Sequence, residues 1–263
     1  AFSVGFNLGI IAMGAGTQDW DQIAEAGKGL QDAFMRLKYL EGPVVMAPRG
    51  MTLGGGCEIT MHGDAVRAAA ESYIGLVEVG VGLIPAGGGC KEIAFRYYDS
   101  IPDGVQVDLF PFMTEALLTI GQARVSTSAE EAKSHGYLRR TDRITLNPDA
   151  VLADAKKDVL AMVQTGYKPP APRKVPVPGR DGIAFAKAVV HGMAQGGYST
   201  EYDEHVLAAL ATVLCGGDVP AGTMLSEEDF LDLEREAFVG LCKEQKTIDR
   251  IMHMLQTGKP LRN

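Results

Sequence analysis

Thr52-Leu53-Gly54-Gly55-Gly56-Cys57-Glu58, followed twenty positions after its glutamate by Glu78-Val79-Gly80-Val81-Gly82-Leu83-Ile84-Pro85-Ala86-Gly87-Gly88-Gly89, is the part of the chain on which the fold turns. Just before it, Val44-Val45-Met46-Ala47 is a short apolar run with β-branched residues, which predicts a buried strand. The first triple glycine then leads into a short helix expected from about Cys57 to His62, and Asp64 to Ala70 reads as another strand. Strand, turn, helix and strand in that order predict an α/β fold. A glycine turn entering a helix permits backbone approaches that a Cβ forbids, and its unpaired N–H groups suit a developing negative charge. Tight strand–helix packing needs glycine just as much, so the turn alone leaves both readings open. Two buried carboxyls sharing one water can move protons on one face of a substrate.

Outward from this segment, the remaining elements are mostly helical. Residues 20–40 form an amphipathic pattern with Ile23, Gly27, Leu30, Phe34 and Leu37 on one face. Helices are expected at roughly 90–98 and 112–120, and Ser128 to Glu131 fits a capping box with Gly136 as the stop. Asn147-Pro148 starts a helix of about 149–164. Five prolines between Lys168 and Gly179 predict a linker over 168–180. Beyond it, Ser199 is read as the cap of a helix through Leu214. Ser226 caps a helix carrying Phe230, Leu233, Phe238 and Leu241, and Ile248, Ile251, Met252 and Leu255 form the last apolar stripe. The expected organisation is a core over 1–167, the linker, and a helical region over 181–263. The opening Phe2-Ser3-Val4-Gly5-Phe6-Asn7-Leu8 reads as a strand end running into a loop.

Composition narrows the function classes. The 263 residues suffice for a sizeable core, and 46% hydrophobic with 22% charged residues is ordinary for a soluble globular protein. A formal net charge of −8 without a basic run argues against nucleic acid as partner. Cys57, Cys90, Cys215 and Cys242 are widely spaced, which predicts reduced thiols, a cytoplasmic setting and no metal site. There is no apolar run of membrane-spanning length and no signal peptide, so no membrane span is expected. Neither glycine triplet has the spacing of a P-loop or of the dinucleotide fingerprint. The chain starts at Ala1 with no methionine, leader or helix cap, and reads as a piece cut or processed from a longer polypeptide.

Phe-Ser-x-Gly-x-Asn-Leu at 2–8, Leu-Gly-Gly-Gly-Cys-Glu at 53–58, and Glu78 with Gly-x-Ile-Pro-x-Gly-Gly-Gly at 82–89 together resemble the crotonase (enoyl-CoA hydratase/isomerase) superfamily. The likeness is greatest to the hydratase part of multifunctional fatty-acid β-oxidation proteins that also carry a 3-hydroxyacyl-CoA dehydrogenase. It is strong over 1–97, moderate over 112–165 and returns from Glu234 to Asn263, whereas 168–225 fits poorly. The implied fold is a crotonase-like ββα superhelical core, N-terminally truncated, because the strands and helix that precede the first motif in the family are absent. The implied reaction is addition of water to a trans-2-enoyl-CoA; the chain alone is expected to be weakly active or inactive. The alternatives are an enoyl-CoA isomerase, an acyl-CoA hydrolase, or a non-catalytic assembly module.

Residue by residue, the resemblance implies Glu58 and Glu78 as catalytic acid and base. The backbone N–H groups of Phe6 and Gly55 are the implied oxyanion hole. Gly5, Asn7, Leu8, Gly54, Pro85, Gly87, Gly88 and Lys259 are implied to bind substrate. Phe6 stands where alanine is commoner in the family, and Val77 where proline is frequent. No cofactor is implied in this segment beyond the CoA thioester substrate; NAD would belong to a dehydrogenase part outside the chain. Implied partners are the acyl-CoA and either further copies of the chain or a dehydrogenase domain. His62 is read as a packed or surface histidine, Cys57 as a small core residue and Asp64 as a cap or local hydrogen-bonding group.

Overall fold

The computed structural model describes residues 1–98, 101, 105 and 107–263. Phe2 and Ser3 run extended, and both of their N–H groups donate to the Met51 carbonyl (2.8 and 3.2 Å). Two helices follow, α1 (Leu8–Thr17) and α2 (Trp20–Lys38). Then come β1 (Val45–Met46), β2 (Met51–Leu53), α3 (Gly55–Met61), β3 (Ala65–Ala69) and β4 (Tyr73–Gly75). A 3-10 turn over Glu78–Val81 leads through the second glycine run to α4 (Gly89–Tyr98), α5 (Phe110–Gly121) and α6 (Ala129–Ser134). The chain continues with β5 (Arg143–Thr145), α7 (Val151–Gln164), β6 (Lys174–Pro176), α8 (Gly179–Gln195) and α9 (Glu201–Leu214). It closes with β7 (Met224–Ser226), α10 (Glu227–Cys242) and α11 (Gln245–Thr257).

The predicted α/β rhythm is present. β1, β3 and β5 form a parallel sheet in the order β1-β3-β5, with Met46 opposite Val66 and Ala68 opposite Ile144. β2 and β4 form a second parallel pair in which Thr52 faces Ile74. Because parallel neighbours need a crossover, α3 and the glycine turn before it sit between β2 and β4 at the carboxyl end of β2. The two glutamates therefore come from the ends of one strand pair. Glu58 lies on α3 after β2, and Glu78 opens the turn after β4.

Several expectations are corrected. The opening segment does not run into a loop: Asn7 caps α1 by accepting the Gly9 N–H (2.9 Å), and Ile11, Gly14 and Ala15 are buried. Gly14 is a packing site of α1, since a Cβ there would lie 2.8 Å from Ile23 Cγ1. The stretch 168–180 is not simply a linker. Lys174–Pro176 pairs antiparallel with Met224–Ser226, and Val175 and Val177 are fully buried. A two-stranded ribbon has a free edge on each strand, so proline fits where a central strand would reject it. Thr200, not Ser199, caps α9, completing a capping box with Asp203. Ser128 does cap α6, but the Glu131 carboxylate turns to the Thr127 N–H (2.6 Å) instead of closing the box. Asp64 acts over a distance, taking the Val44 N–H (2.7 Å) and the Tyr167 hydroxyl (2.7 Å).

One apolar cluster extends from Ile11 through Ile74, Leu83, Ile84 and Ile93 to Val206, Phe230 and Ile251. The C-terminal helices thus pack directly on the α/β part, with Phe95 and Phe230 in edge contact at 5.7 Å. All four cysteines are buried and free. Among the described residues no helix is long and apolar enough to cross a membrane.

Candidate active site

Gly5 (φ +100°) and Gly54 (φ +55°) occupy the left-handed region that side chains rarely adopt. Their conformations bring the 2–6 segment against the start of α3. A Cβ on Gly5 would stand 3.2 Å from the Gly55 nitrogen, and one on Gly55 would stand 3.6 Å from the Phe6 nitrogen. Gly56 completes the approach, since its Cβ would meet Ser3 Cβ at 2.7 Å and Ser3 O at 2.8 Å. The Leu53 N–H donates to Ser3 O (2.9 Å) and holds the two segments in register. Among the described residues, the N–H groups of Phe6 and Gly55 have no acceptor. Two free donors lie side by side at a helix start, the arrangement that receives an oxyanion.

The carboxyls face the same space. Glu58 is 3% exposed, and its Oε1 accepts the N–H groups of Gly87 (2.8 Å) and Gly89 (2.9 Å). Glycine is required on that turn, because a Cβ on Gly87 would fall 2.7 Å from Glu58 Oε2 and one on Gly89 would fall 2.8 Å from Oε1. Glu78 is held less completely: its Oε2 is buried without a hydrogen-bond partner. Burial pushes both carboxyls above the usual carboxylate range. For Glu58 the two glycine N–H groups offset part of that rise, whereas for Glu78 the neighbouring Glu58 charge adds to it and the Glu78 and Val77 N–H groups oppose it.

Both carboxyls open onto a cavity of about 780 Å³ that Phe6, Gly54, Gly55 and Gly87 also line. The remainder of its wall is largely apolar. Leu8, Ile11, Ile23 and Leu30 of α1 and α2 form one side, and Phe238 and Met254 of α10 and α11 form another. Gly5 belongs to the lining as well. Asn7, Pro85, Gly88 and Lys259 lie outside it: Asn7 caps α1, Pro85 and Gly88 are buried beneath the turn, and Lys259 is exposed beyond α11.

Behind the cavity lies a buried charged cluster that sequence reasoning missed. Lys91 Nζ donates to Glu92 (2.6 Å) and Glu227 (2.8 Å), and Lys38 Nζ bonds the same two oxygens (2.6 and 2.8 Å). Burial works against the Lys91 charge, but Glu92 and Glu227 hold its pKa above the ordinary value. His62 is packed, not on the surface. Its Nδ1 lies 2.7 Å from the Glu58 carbonyl and its Nε2 lies 3.0 Å from Lys91 Nζ. Burial and the Lys91 charge push it down to about 3, so it is neutral and accepts from Lys91. Cys57 is fully buried, and burial raises its thiol well above the usual range, which suits a core residue.

Glu234 of α10 was also missed. It is fully buried and accepts the N–H groups of Gly88 (2.8 Å) and Lys91 (2.6 Å). A signal for it existed: Glu234 is four residues from both Phe230 and Phe238, which places a charged residue in the middle of the predicted apolar face.

Residues 1–96, the segment that supplies both carboxyls and both free N–H groups, match the family model described as enoyl-CoA hydratase/isomerase. The crotonase-type fold extends over nearly the whole chain. A carnitinyl-CoA dehydratase structure from Mycobacterium thermoresistibile covers 97% of this chain and 73% of its own at TM-score 0.59 and 18% identity. An enoyl-CoA hydratase structure from Bacillus halodurans covers 94% and 74% at TM-score 0.56 and 16% identity. At such identities the likeness concerns the fold alone. In sequence, the chain is 42% identical over 262 residues to a probable 3-hydroxyacyl-CoA dehydrogenase of Bacillus subtilis, matching all of this chain and 33% of that protein. It is 26% identical to a putative fatty acid oxidation complex trifunctional enzyme of Rickettsia felis over 95% of this chain and 31% of that protein. The chain thus spans about a third of the length of these relatives.

Proposed function

We propose that this crotonase-family chain is an enoyl-CoA hydratase unit, adding water across the double bond of a trans-2-enoyl-CoA to give a 3-hydroxyacyl-CoA. The observation that carries the reading is the convergence of two buried carboxyls and two free N–H groups on one largely apolar cavity. The thioester carbonyl oxygen accepts from Phe6 and Gly55, and each such donor is worth about 3 kcal/mol as the enolate develops. The acyl chain lies along the apolar wall of α1, α2, α10 and α11.

The two carboxyls divide the proton work. Glu58 carries two N–H donors that favour its ionised form, so it serves as base and takes a proton from the attacking water. The hydroxyl adds to C3. Glu78, with an unpaired buried oxygen and its pKa raised by burial and by Glu58, keeps its proton and delivers it to C2. Proton return from Glu58 to Glu78 through the next water restores the pair, so atoms and charge balance with no redox step. A pair that keeps one proton at neutrality suits hydration, where one group must give while the other takes.

The product class is also the substrate class in the name of the Bacillus subtilis relative. We place this unit beside such a dehydrogenase activity, which would be the part that uses NAD. The reading is tested by incubating the full-length protein with crotonyl-CoA and a longer trans-2-enoyl-CoA and following the product mass. A gain of one water supports it. Migration of the double bond without that gain, release of free CoA, or binding without turnover overturns it.

A further inference from the structure

Four N–H groups at the second glycine turn and the start of α4, those of Gly87, Gly88, Gly89 and Lys91, are shared between two buried carboxyls. Glu58 takes Gly87 and Gly89, while Glu234 takes Gly88 and Lys91. Gly88 lies in the left-handed region (φ +101°), its N–H goes to a different carboxyl from those of its neighbours, and a Cβ there would strike the His62 ring at 2.7 Å. Gly88 donates on the α10 side, where Glu234 is fully buried.

Resting on the hydratase reading, we propose that Glu234 is a positioning residue of the reaction: by clamping Gly88 and Lys91 it fixes the turn that aims the Gly87 and Gly89 N–H groups at the base Glu58. The helical C-terminal region then takes part in catalysis through the backbone without touching substrate. The groups facing Glu234 are Glu58 across the turn and Lys91 on α4. Lys91 in turn is tied to Glu92 and Glu227, so the clamp sits on a fixed cationic base. Burial holds the Glu234 carboxyl well above its ordinary range, with Glu58 adding to it and the two N–H donors opposing it. Both Glu234 oxygens are used, each by a backbone donor. An amide at this position offers one acceptor and turns its NH₂ toward the second N–H, leaving a buried donor unsatisfied.

Glu234→Gln and Glu234→Asp in the full-length protein, with Glu58→Gln as reference, test this. The expected result is a fall in kcat of about tenfold or more for Glu234→Gln, with KM for the enoyl-CoA within about twofold and the thermal midpoint lowered only as far as one unsatisfied buried donor accounts for. Glu234→Asp, which keeps two acceptor oxygens, recovers part of the loss. A kcat within twofold of the parent overturns the proposal. So does a loss of kcat that goes with a raised KM and a lower midpoint in both variants, or failure of both to fold, since either makes Glu234 a purely structural residue. If Glu58→Gln keeps parental turnover, the hydratase reading itself falls; if only Glu58→Gln is impaired, this inference alone falls.

Discussion

At the scale of single residues, Glu58 and Glu78 carry opposing demands from stability and chemistry. Replacing either by glutamine keeps the shape and removes proton transfer, so Glu58→Gln and Glu78→Gln are each expected to lower turnover by about a hundredfold or more. Hydration of crotonyl-CoA by the two variants checks this, and near-parental rates in either remove that residue from the mechanism. Stability moves the other way. A carboxyl whose folded pKa lies above its unfolded value stabilises fully only below the unfolded value, and that contribution is lost as pH rises through the folded one. Burial raises Glu78 in this sense. The neutral Glu78→Gln variant is therefore expected to melt higher than the parent, with a gain that grows from pH 5 to pH 8. Thermal scans across that range would refute the account if the gain were constant or reversed.

Individual elements derive their positions from close backbone contacts. The Phe2-Ser3 segment can deliver the Phe6 N–H only because Gly56, at the start of α3, has no side chain. A methyl group there would meet both Ser3 Cβ and Ser3 O below normal contact distance. Gly56→Ala is expected to cost about 1–3 kcal/mol of stability and, by moving the Phe6 amide, to lower kcat beyond what that loss explains. Denaturant unfolding and kinetics on the same sample separate the two effects; a stable variant with full turnover would show that the approach of the segments is not needed. α11 is fixed to the site from the other side. Thr247 Oγ1 donates to the Gly82 carbonyl (2.7 Å), just past the turn that carries Glu78, and buried Arg250 pairs with Asp203 of α9 (2.7 Å).

For the whole molecule, the buried cluster of Lys38, Lys91, Glu92 and Glu227 ties α2, α4 and α10 together behind the cavity. Removing one member leaves charge uncompensated in the interior, which is strongly destabilising even where the intact network adds little net stability. Glu227→Gln is expected to lose about 3 kcal/mol, read as a lower denaturant midpoint; an unchanged midpoint would mean that Lys38 and Lys91 find other partners. His62 adds an acid-side dependence. Its folded pKa is depressed, so its contribution is present above the unfolded value of about 6.5 and is lost as pH falls toward 3.

The sequence by itself determined the α/β class, most helix positions, and the two glutamates with their glycine turns. These are local matters: apolar period, capping residues and glycine content are properties of short windows. Glu58 and Glu78 stood out because each sits beside such a glycine run, Phe6 and Gly55 were implied by the family resemblance, and all four line one cavity. Only the tertiary structure decided that 168–180 contributes a paired strand to the core, that α1 packs against Ile23 through Gly14, and that Lys91, Glu227 and Glu234 are buried. A charged side chain on an otherwise ordinary helix reads as solvated until its partners are known. The Gly88–Glu234 contact spans 146 positions, a separation that no local pattern encodes. The two glutamates proposed as acid and base could be read along the chain, but the N–H groups and charges that surround them were supplied by folding.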